Sequence, residues 1–350
     1  MKKLCLSALC VLVLASVFTV TTAFAASAGK VVVYNWSEYI PQDVLDDFTK
    51  ETGIEVVYST FESNEAMLAK VKLMQGKGYD VVVPSSYFLA MMQKEGLLQE
   101  LDKGKLTNMV HLDKGWLDQD FDKGNKFSVP YMWGFVGLAH NAKHVKPEKL
   151  TKWKDLLRPE LKGKIILTDD LRDAFGLALL SVGLKTDETT EAGLKKAYEF
   201  LKKVKKSVRI FDVTAIKQAL ISEEVWVGPI WNGDFLVAQE ENKDLQFVFP
   251  EEGIILWMDN FVITKGAENV DNAYAFINYM LRPEVAAKCV EEYKYSTPNK
   301  SALQLLPDEL KNSPVLIPTA EQIAKGTFPN DLGDALPLYQ KYWEKLKTGN

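Results

Sequence analysis

The chain has 350 residues, 47% of them apolar and 25% charged, with a net charge of −5 and three cysteines. That length buries a large core without covalent staples and favours two lobes, while the acidic balance argues against nucleic acid as a partner. Cys5 and Cys10 fall in an N-terminal segment that reads as cleaved, so Cys289 stands alone and a disulfide scaffold is excluded.

Taken in chain order, the first element is an export signal. Lys2 and Lys3 precede an apolar tract from Leu4 to Val20, and Ala23-Phe24-Ala25 is a small-x-small cleavage site, so residues 1–26 are expected to be removed and Ala26 to open the mature chain. The tract is short for a membrane anchor, and Leu9 before Cys10 argues against lipid attachment. No other stretch is long and apolar enough to span a bilayer. The mature chain is therefore expected in a bacterial periplasm, without membrane insertion. Losing two lysines and no acid takes the net charge from −5 to −7, which mildly favours a cationic ligand by steering.

The mature chain opens with a Val-rich strand from Gly29 to Tyr34. A helix follows from Pro41 to Glu51, with Val44, Leu45 and Phe48 on one face and Gly53 as its stop. Ile54 to Ser59 reads as a strand. Asn64 to Gln75 reads as a helix with Met67, Leu68, Val71 and Met74 on one stripe, Tyr79 to Pro84 as a strand and Tyr87 to Gly96 as a helix. This alternation predicts a parallel sheet covered by helices, with ligands off the carboxyl ends of its strands. After the apolar run Phe127 to Leu138, a second block places strands at Lys164–Thr168, Val208–Val213, Val225–Trp231 and Leu245–Pro250. Its helices fall at Ala174–Leu184 and Glu191–Val204. Ile254 to Thr264 is expected to carry the chain back to the first lobe, where Val270 to Leu281 forms a helix. The fold class is α/β, two lobes with a cleft between them.

Three times a tryptophan is followed within three residues by a carboxylate: Trp36 and Glu38, Trp231 and Asp234, Trp257 and Asp259. An indole face attracts an ammonium through its quadrupole and covers its methylenes, and a carboxylate adds a charge-assisted hydrogen bond. Residues two apart in an extended segment share a side, so each pair can face one ligand, and three pairs suit a multiply charged amine. Three unrelated core tryptophans beside solvated acids fit the same spacing.

Other chemistry is missing. His111, His140 and His144 have no metal-ligand spacing and read as solvated. No phosphate loop, dinucleotide fingerprint or nucleophile elbow occurs, and Cys289 on an amphipathic helix reads as a buried, inert thiol. Paired acids beside tryptophans leave a glycoside hydrolase as the competing enzyme reading. Asp169, Asp170 and Asp173 sit at a strand end and helix start, where an acid caps free N–H groups; three in five residues exceed that need.

Several segments together resemble the spermidine/putrescine-binding proteins of bacterial polyamine ABC importers. They are Tyr34-Asn35-Trp36-Ser37-Glu38-Tyr39, Tyr58-Ser59-Thr60-Phe61-Glu62-Ser63-Asn64-Glu65, Asp80-Val81-Val82-Val83-Pro84-Ser85, Leu167-Thr168-Asp169-Asp170, Ile230-Trp231-Asn232-Gly233, Trp257-Met258-Asp259 and Thr297-Pro298-Asn299. The resemblance covers nearly the whole mature chain. It implies a two-lobed periplasmic binding protein of type II with crossing hinge segments, the N-terminal lobe spanning 27–133 and 259–303 and the C-terminal lobe 134–258 and 304–350. It implies a monomeric receptor that is not an enzyme, has no cofactor or metal, and delivers its ligand to a membrane permease. Carried over, Trp36, Tyr39, Trp231 and Trp257 wall the cleft, Ser37, Glu38, Ser85 and Tyr87 are polar contacts, and Asp259 holds an amine near the ligand's middle. Asp170, Asp173 and Tyr295 complete the set. Asp173 stands where the family commonly has Glu, Val213 where it has Ser, and Pro329 where it has Gln. Glu38, rather than a shorter acid, leans toward spermidine over putrescine.

Overall fold

The computed structural model describes residues 29–349; the signal segment, with Cys5 and Cys10, lies outside them. Strand β1 (Lys30–Trp36) pairs in parallel with β2 (Glu55–Phe61) and β3 (Val81–Val82). Its alternation serves two faces. Val31 and Val33 join one apolar cluster, with Phe48 and Phe276, while Tyr34 joins another with Met67, Leu89 and Met92. Both faces are therefore covered, which is why the run is apolar throughout.

Helix α1 (Gln42–Thr52) buries Val44, Leu45 and Phe48, and Gly53 closes it at φ 73°, a left-handed conformation open to glycine. Pro41 occupies its N-cap rather than its first turn. Helix α2 (Asn64–Leu73) is capped by the Ser63 hydroxyl, which accepts from Ala66 N. It ends one residue before Met74, which is exposed and does not extend the predicted stripe. Helix α3 (Ser86–Lys94) follows β3.

Strand β4 (Ser128–Asn141) is buried at all of its fourteen positions. In the second half of the chain lie β5 (Ile165–Leu167), α4 (Leu171–Ser181), α5 (Glu191–Lys205), β6 (Val208–Phe211), α6 (Ile216–Ile221), β7 (Val227–Trp231), α7 (Asn232–Glu241) and β8 (Leu245–Val248). Then β9 (Ile255–Ile263) returns, followed by α8 (Val270–Met280) and α9 (Pro283–Tyr293). A C-terminal helix, Leu336–Thr348, lays Tyr339 and Tyr342 against Phe175 and Tyr198 at ring separations of 5.0 Å each.

All nine strands among the described residues belong to one sheet, in the order β2-β1-β3-β9-β4-β7-β5-β6 with β8 also on β4. The outer parts are parallel, as the alternation predicts. The middle is not: β9 runs antiparallel to β3 and β4, and β4 antiparallel to β7 and β8. The parallel sheet predicted for the first block holds for β2, β1 and β3, and β9 adds to it antiparallel. β4 is entered from the irregular segment 95–127 and β9 directly from β8 through a turn, and neither is a βαβ crossover that would impose parallel pairing. Over Ser128–Val136 β4 pairs with β9, and over Val136–Asn141 with β7 and β8, so these two strands join the two groups of apolar clusters.

Candidate functional site

A cavity of about 540 Å³ opens where the carboxyl ends of β1, β5 and β7 face the middle of β9. All twelve residues singled out from sequence line it: Trp36, Ser37, Glu38, Tyr39, Ser85, Tyr87, Asp170, Asp173, Trp231, Trp257, Asp259 and Tyr295. The departures Val213 and Pro329 line it as well.

Asp259 lies on β9 and is only 4% exposed. Tyr39 donates its phenol O–H to Oδ2 at 2.6 Å, and Ser85 donates its hydroxyl to Oδ1 at 2.6 Å. Both donors are neutral. Burial lifts the carboxyl to about 6, and the two hydrogen bonds offset only part of that. Ser85 sits at the N-cap of α3, where serine normally caps, yet its side chain makes no cap bond and serves Asp259 instead. Asn64 fixes it there, donating from Nδ2 to Ser85 Oγ at 3.0 Å and to Tyr87 Oη at 3.2 Å, and accepting from Ser85 N at 3.1 Å.

The walls are aromatic. Trp36 is anchored by its indole N–H to Val83 O at 3.0 Å and packs on Phe61 at a centroid distance of 4.5 Å. Trp257 meets Tyr295 edge-on at 5.2 Å, and Tyr295 meets Tyr39 at 5.9 Å. Gly134 faces Trp257 across the β4–β9 ladder, and a Cβ there would come within 2.4 Å of the indole and 2.2 Å of Asn232 Oδ1. Trp257 and Asp259 do share one side of an extended strand. Trp36 and Glu38 do not: β1 ends at Trp36, and Glu38 sits in a bend at φ 49°. The pair reaches one cavity by a turn, not by strand alternation.

Two further acid stations flank Asp259. On one side Asp170 caps α4, its Oδ1 accepting from Asp173 N at 2.9 Å. Burial pushes both carboxyls up, and the neighbouring Asp170 charge pushes Asp173 further, while Asp170 is held back by the helix N–H bonds it accepts. The nearby Trp231 indole offsets part of the rise at Asp173. Arg172 stacks over Tyr87 at 4.9 Å and donates to Asn330 O at 2.9 Å. Asp169 is ion-paired to Lys347 at 2.8 Å.

On the other side stand Glu38 and Asp234. Tyr295 donates its O–H to Asp234 at 3.2 Å, and burial raises the Asp234 carboxyl. Asn64, Arg172, Lys217 and Asp234 all line the cavity and were outside the sequence set, although Asp234 belonged to one of the three Trp–acid pairs.

Cys289 and the three histidines do not line the cavity. Cys289 is buried on α9 and its thiol is pushed up to about 12 by burial, consistent with an inert thiol. The solvated reading fails for His140, which is fully buried on β4 because that strand is covered on both faces. Burial holds its imidazole below the ordinary value. No cluster of metal-ligating side chains occurs among the described residues.

A family model for bacterial extracellular solute-binding proteins matches residues 43–319. The chain belongs to this family. Within it, the spermidine/putrescine-binding periplasmic protein of Salmonella typhimurium is 43% identical, with 94% of each chain covered. The putrescine-binding periplasmic protein of Pseudomonas aeruginosa is 35% identical, over 93% of this chain and 94% of that one. A solved structure of a spermidine/putrescine ABC transporter protein from Listeria monocytogenes superposes with a TM-score of 0.87 at 37% identity, covering 92% of this chain and 99% of that one. The α/β solute-binding fold expected from sequence is therefore the fold of the chain. A solute-binding protein is a receptor and not an enzyme, so the glycoside hydrolase reading is set aside.

Proposed function

We propose that this protein captures a polyamine, spermidine first and putrescine second, in the cavity and delivers it to the permease of an ABC importer. One observation carries the reading: Asp259 is a buried carboxylate with two neutral hydroxyl donors and, among the described residues, no cationic partner, set among aromatic walls. A buried charge left this way calls for a counter-ion, and the indole faces suit one carried on methylenes. Asp259 binds a central amine. The Asp170/Asp173 and Glu38/Asp234 stations receive the ends, and Trp36, Trp231, Trp257, Tyr39 and Tyr295 cover the chain between them. Ser37, Ser85 and Tyr87 supply the polar lining. The names and high identity of the relatives support the ligand class.

The lobes of this reading are 27–133 with 259–303 and 134–258 with 304–350, hinged on β4 and β9. A ligand touching both lobes binds the closed state better and so favours closure. The mature receptor begins near Ala26 after cleavage, works as a monomer in the periplasm, and needs no cofactor.

The test is isothermal titration of the mature protein, refolded free of ligand, with spermidine, putrescine and lysine. One-to-one binding of a polyamine and none of lysine is the expected result. A folded sample that gives no heat and no competition with any polyamine would overturn the proposal.

A further inference from the structure

The three acid stations are not equivalent. Contacts run in order across the cavity, from Glu38 and Asp234 through Tyr295 to Trp257 and Tyr39, then Asp259, Ser85, Asn64, Tyr87 and finally Arg172 with Asp170 and Asp173. Among the described residues Asp259 has no ion-pair partner, and Arg172, which lies near Asp170 and Asp173, donates to Asn330 O and makes no ion pair with either. The first station has one from the chain itself: Lys217, on α6, holds its ammonium 3.6 Å from Glu38 Oε2 and 3.6 Å from Asp234 Oδ1. Glu38 follows β1 in the first half of the chain, whereas Lys217 and Asp234 come from the second, so this contact spans the cleft. Glu38 is 77% exposed at its side chain, but Lys217 is 30% and Asp234 22% exposed, so part of the pair is sheltered from solvent screening.

The geometry points to Lys217 as a specificity residue: a tethered ammonium that occupies the Glu38/Asp234 station and narrows the receptor's preference for a triamine over a diamine. This inference rests on the polyamine reading of the cavity. A diamine satisfies Asp259 and the Asp170/Asp173 station and leaves Lys217 where it is. A triamine must bring its third ammonium to Glu38 and Asp234, where it either displaces Lys217 from both carboxylates or lies beside a like charge. Either route costs affinity that the diamine does not lose, which is discrimination by a repulsive element. Val213 and Pro329, both in the lining, carry no polar side chain that could take over the amine.

The experiment compares spermidine and putrescine affinities by titration in the wild type, Lys217→Gln and Lys217→Arg. Lys217→Gln is expected to tighten spermidine by about three- to fivefold, the upper part of the scale of one partly screened ion pair. Putrescine should stay within about twofold, because in this reading its amines meet Asp259 and the Asp170/Asp173 station and not the carboxylates that Lys217 holds. Lys217→Arg keeps the charge and should keep the wild-type ratio, which a merely structural loss would not do. An unchanged spermidine-to-putrescine ratio in Lys217→Gln, or the same shift in Lys217→Arg, would overturn the role of Lys217 while leaving the receptor reading intact. If neither wild type nor variants bind a polyamine, the receptor reading falls and the inference with it.

Discussion

Replacing Asp259 by asparagine should make the ligand-free protein more stable while disabling it. The carboxyl of Asp259 titrates at about 6 in the fold and at ~3.9 in an unfolded chain. A gap of about two units corresponds to about 3 kcal/mol. Because the folded value is raised, the fold carries no penalty below about pH 4, acquires it as pH rises through about 6, and bears it in full at neutral pH. Asparagine is nearly isosteric and can still meet the Tyr39 and Ser85 hydroxyls, but it cannot ionise. The difference between variant and wild type should therefore approach 3 kcal/mol at pH 7.5, about 5 °C in melting temperature for a chain of this size, and shrink toward zero near pH 4. Polyamine affinity should fall by more than about tenfold, since loss of a buried charged partner costs ~2–5 kcal/mol. The assay is thermal unfolding of ligand-free wild type and Asp259→Asn at both pH values, with titration at pH 7.5. A variant less stable than wild type at pH 7.5, or a difference that does not change with pH, would refute the argument that the fold holds this charge at a cost.

Three other outcomes follow from the same geometry. Gly134→Ala should force Trp257 and Asn232 aside and weaken polyamine binding by about tenfold; Trp257→Leu, which removes the wall itself, should weaken it by a factor of about 2 to 30, and retention of full affinity in both would count against the aromatic wall. Binding at pH 6 should release protons, because Asp259, which titrates at about 6, is partly protonated when free and ionised against a cation; titration in buffers of different ionisation enthalpy reads this, and proton uptake would contradict it. His140 is buried with its folded value depressed below ~6.5, so the stability of its neutral form is present above that value and is lost as pH falls through the folded one. His140→Leu should flatten the decline between pH 7 and pH 5, and an equal decline in both proteins would refute it.

Much of the site could be read before the fold was known because its chemistry is local in sequence. The pairs Trp36/Glu38, Trp231/Asp234 and Trp257/Asp259 put ring and acid within three residues, and β1, β7 and β9 aim their ends or middles at one cavity. What stayed hidden depends on contacts between distant residues. Ser85 carries the composition of a helix cap, and only the position of Asp259, 174 residues away, turns its hydroxyl to the carboxylate. Asn64 reads as the start of α2 until Ser85 and Tyr87 are seen against it. Lys217 is one of 42 basic residues, and nothing in its surroundings marks it as the one facing Glu38. His140 does carry a signal in the sequence: the run from Val129 to Ala139 is apolar enough to be buried on both faces, and a histidine continuing it shares that burial.

The carboxylates displaced from their ordinary values fall into two groups, and the division itself locates the site. Glu51, Asp120, Glu160, Glu188, Asp212, Glu223 and Glu251 are held below their ordinary values by lysine, arginine, histidine, hydroxyl or backbone donors, all of them at the surface. Asp170, Asp173, Asp234 and Asp259 are raised, each with burial as the leading cause, and all four line one cavity; Glu65 is raised at the start of α2, where it feels Asp170. A fold selected for stability alone would give its buried acids cations or replace them with apolar groups. Here, among the described residues, Asp259 has only hydroxyl partners, with Lys217 at one station beside it and Arg172 near the other. The strain of holding those charges is relieved by a polycation, and the free energy of that relief becomes both affinity and a rise in stability on binding. Ligand-free wild type should therefore gain more in melting temperature from a saturating polyamine than Asp259→Asn does. Equal gains at the same saturation would mean that binding energy is drawn from the walls and not from the acids.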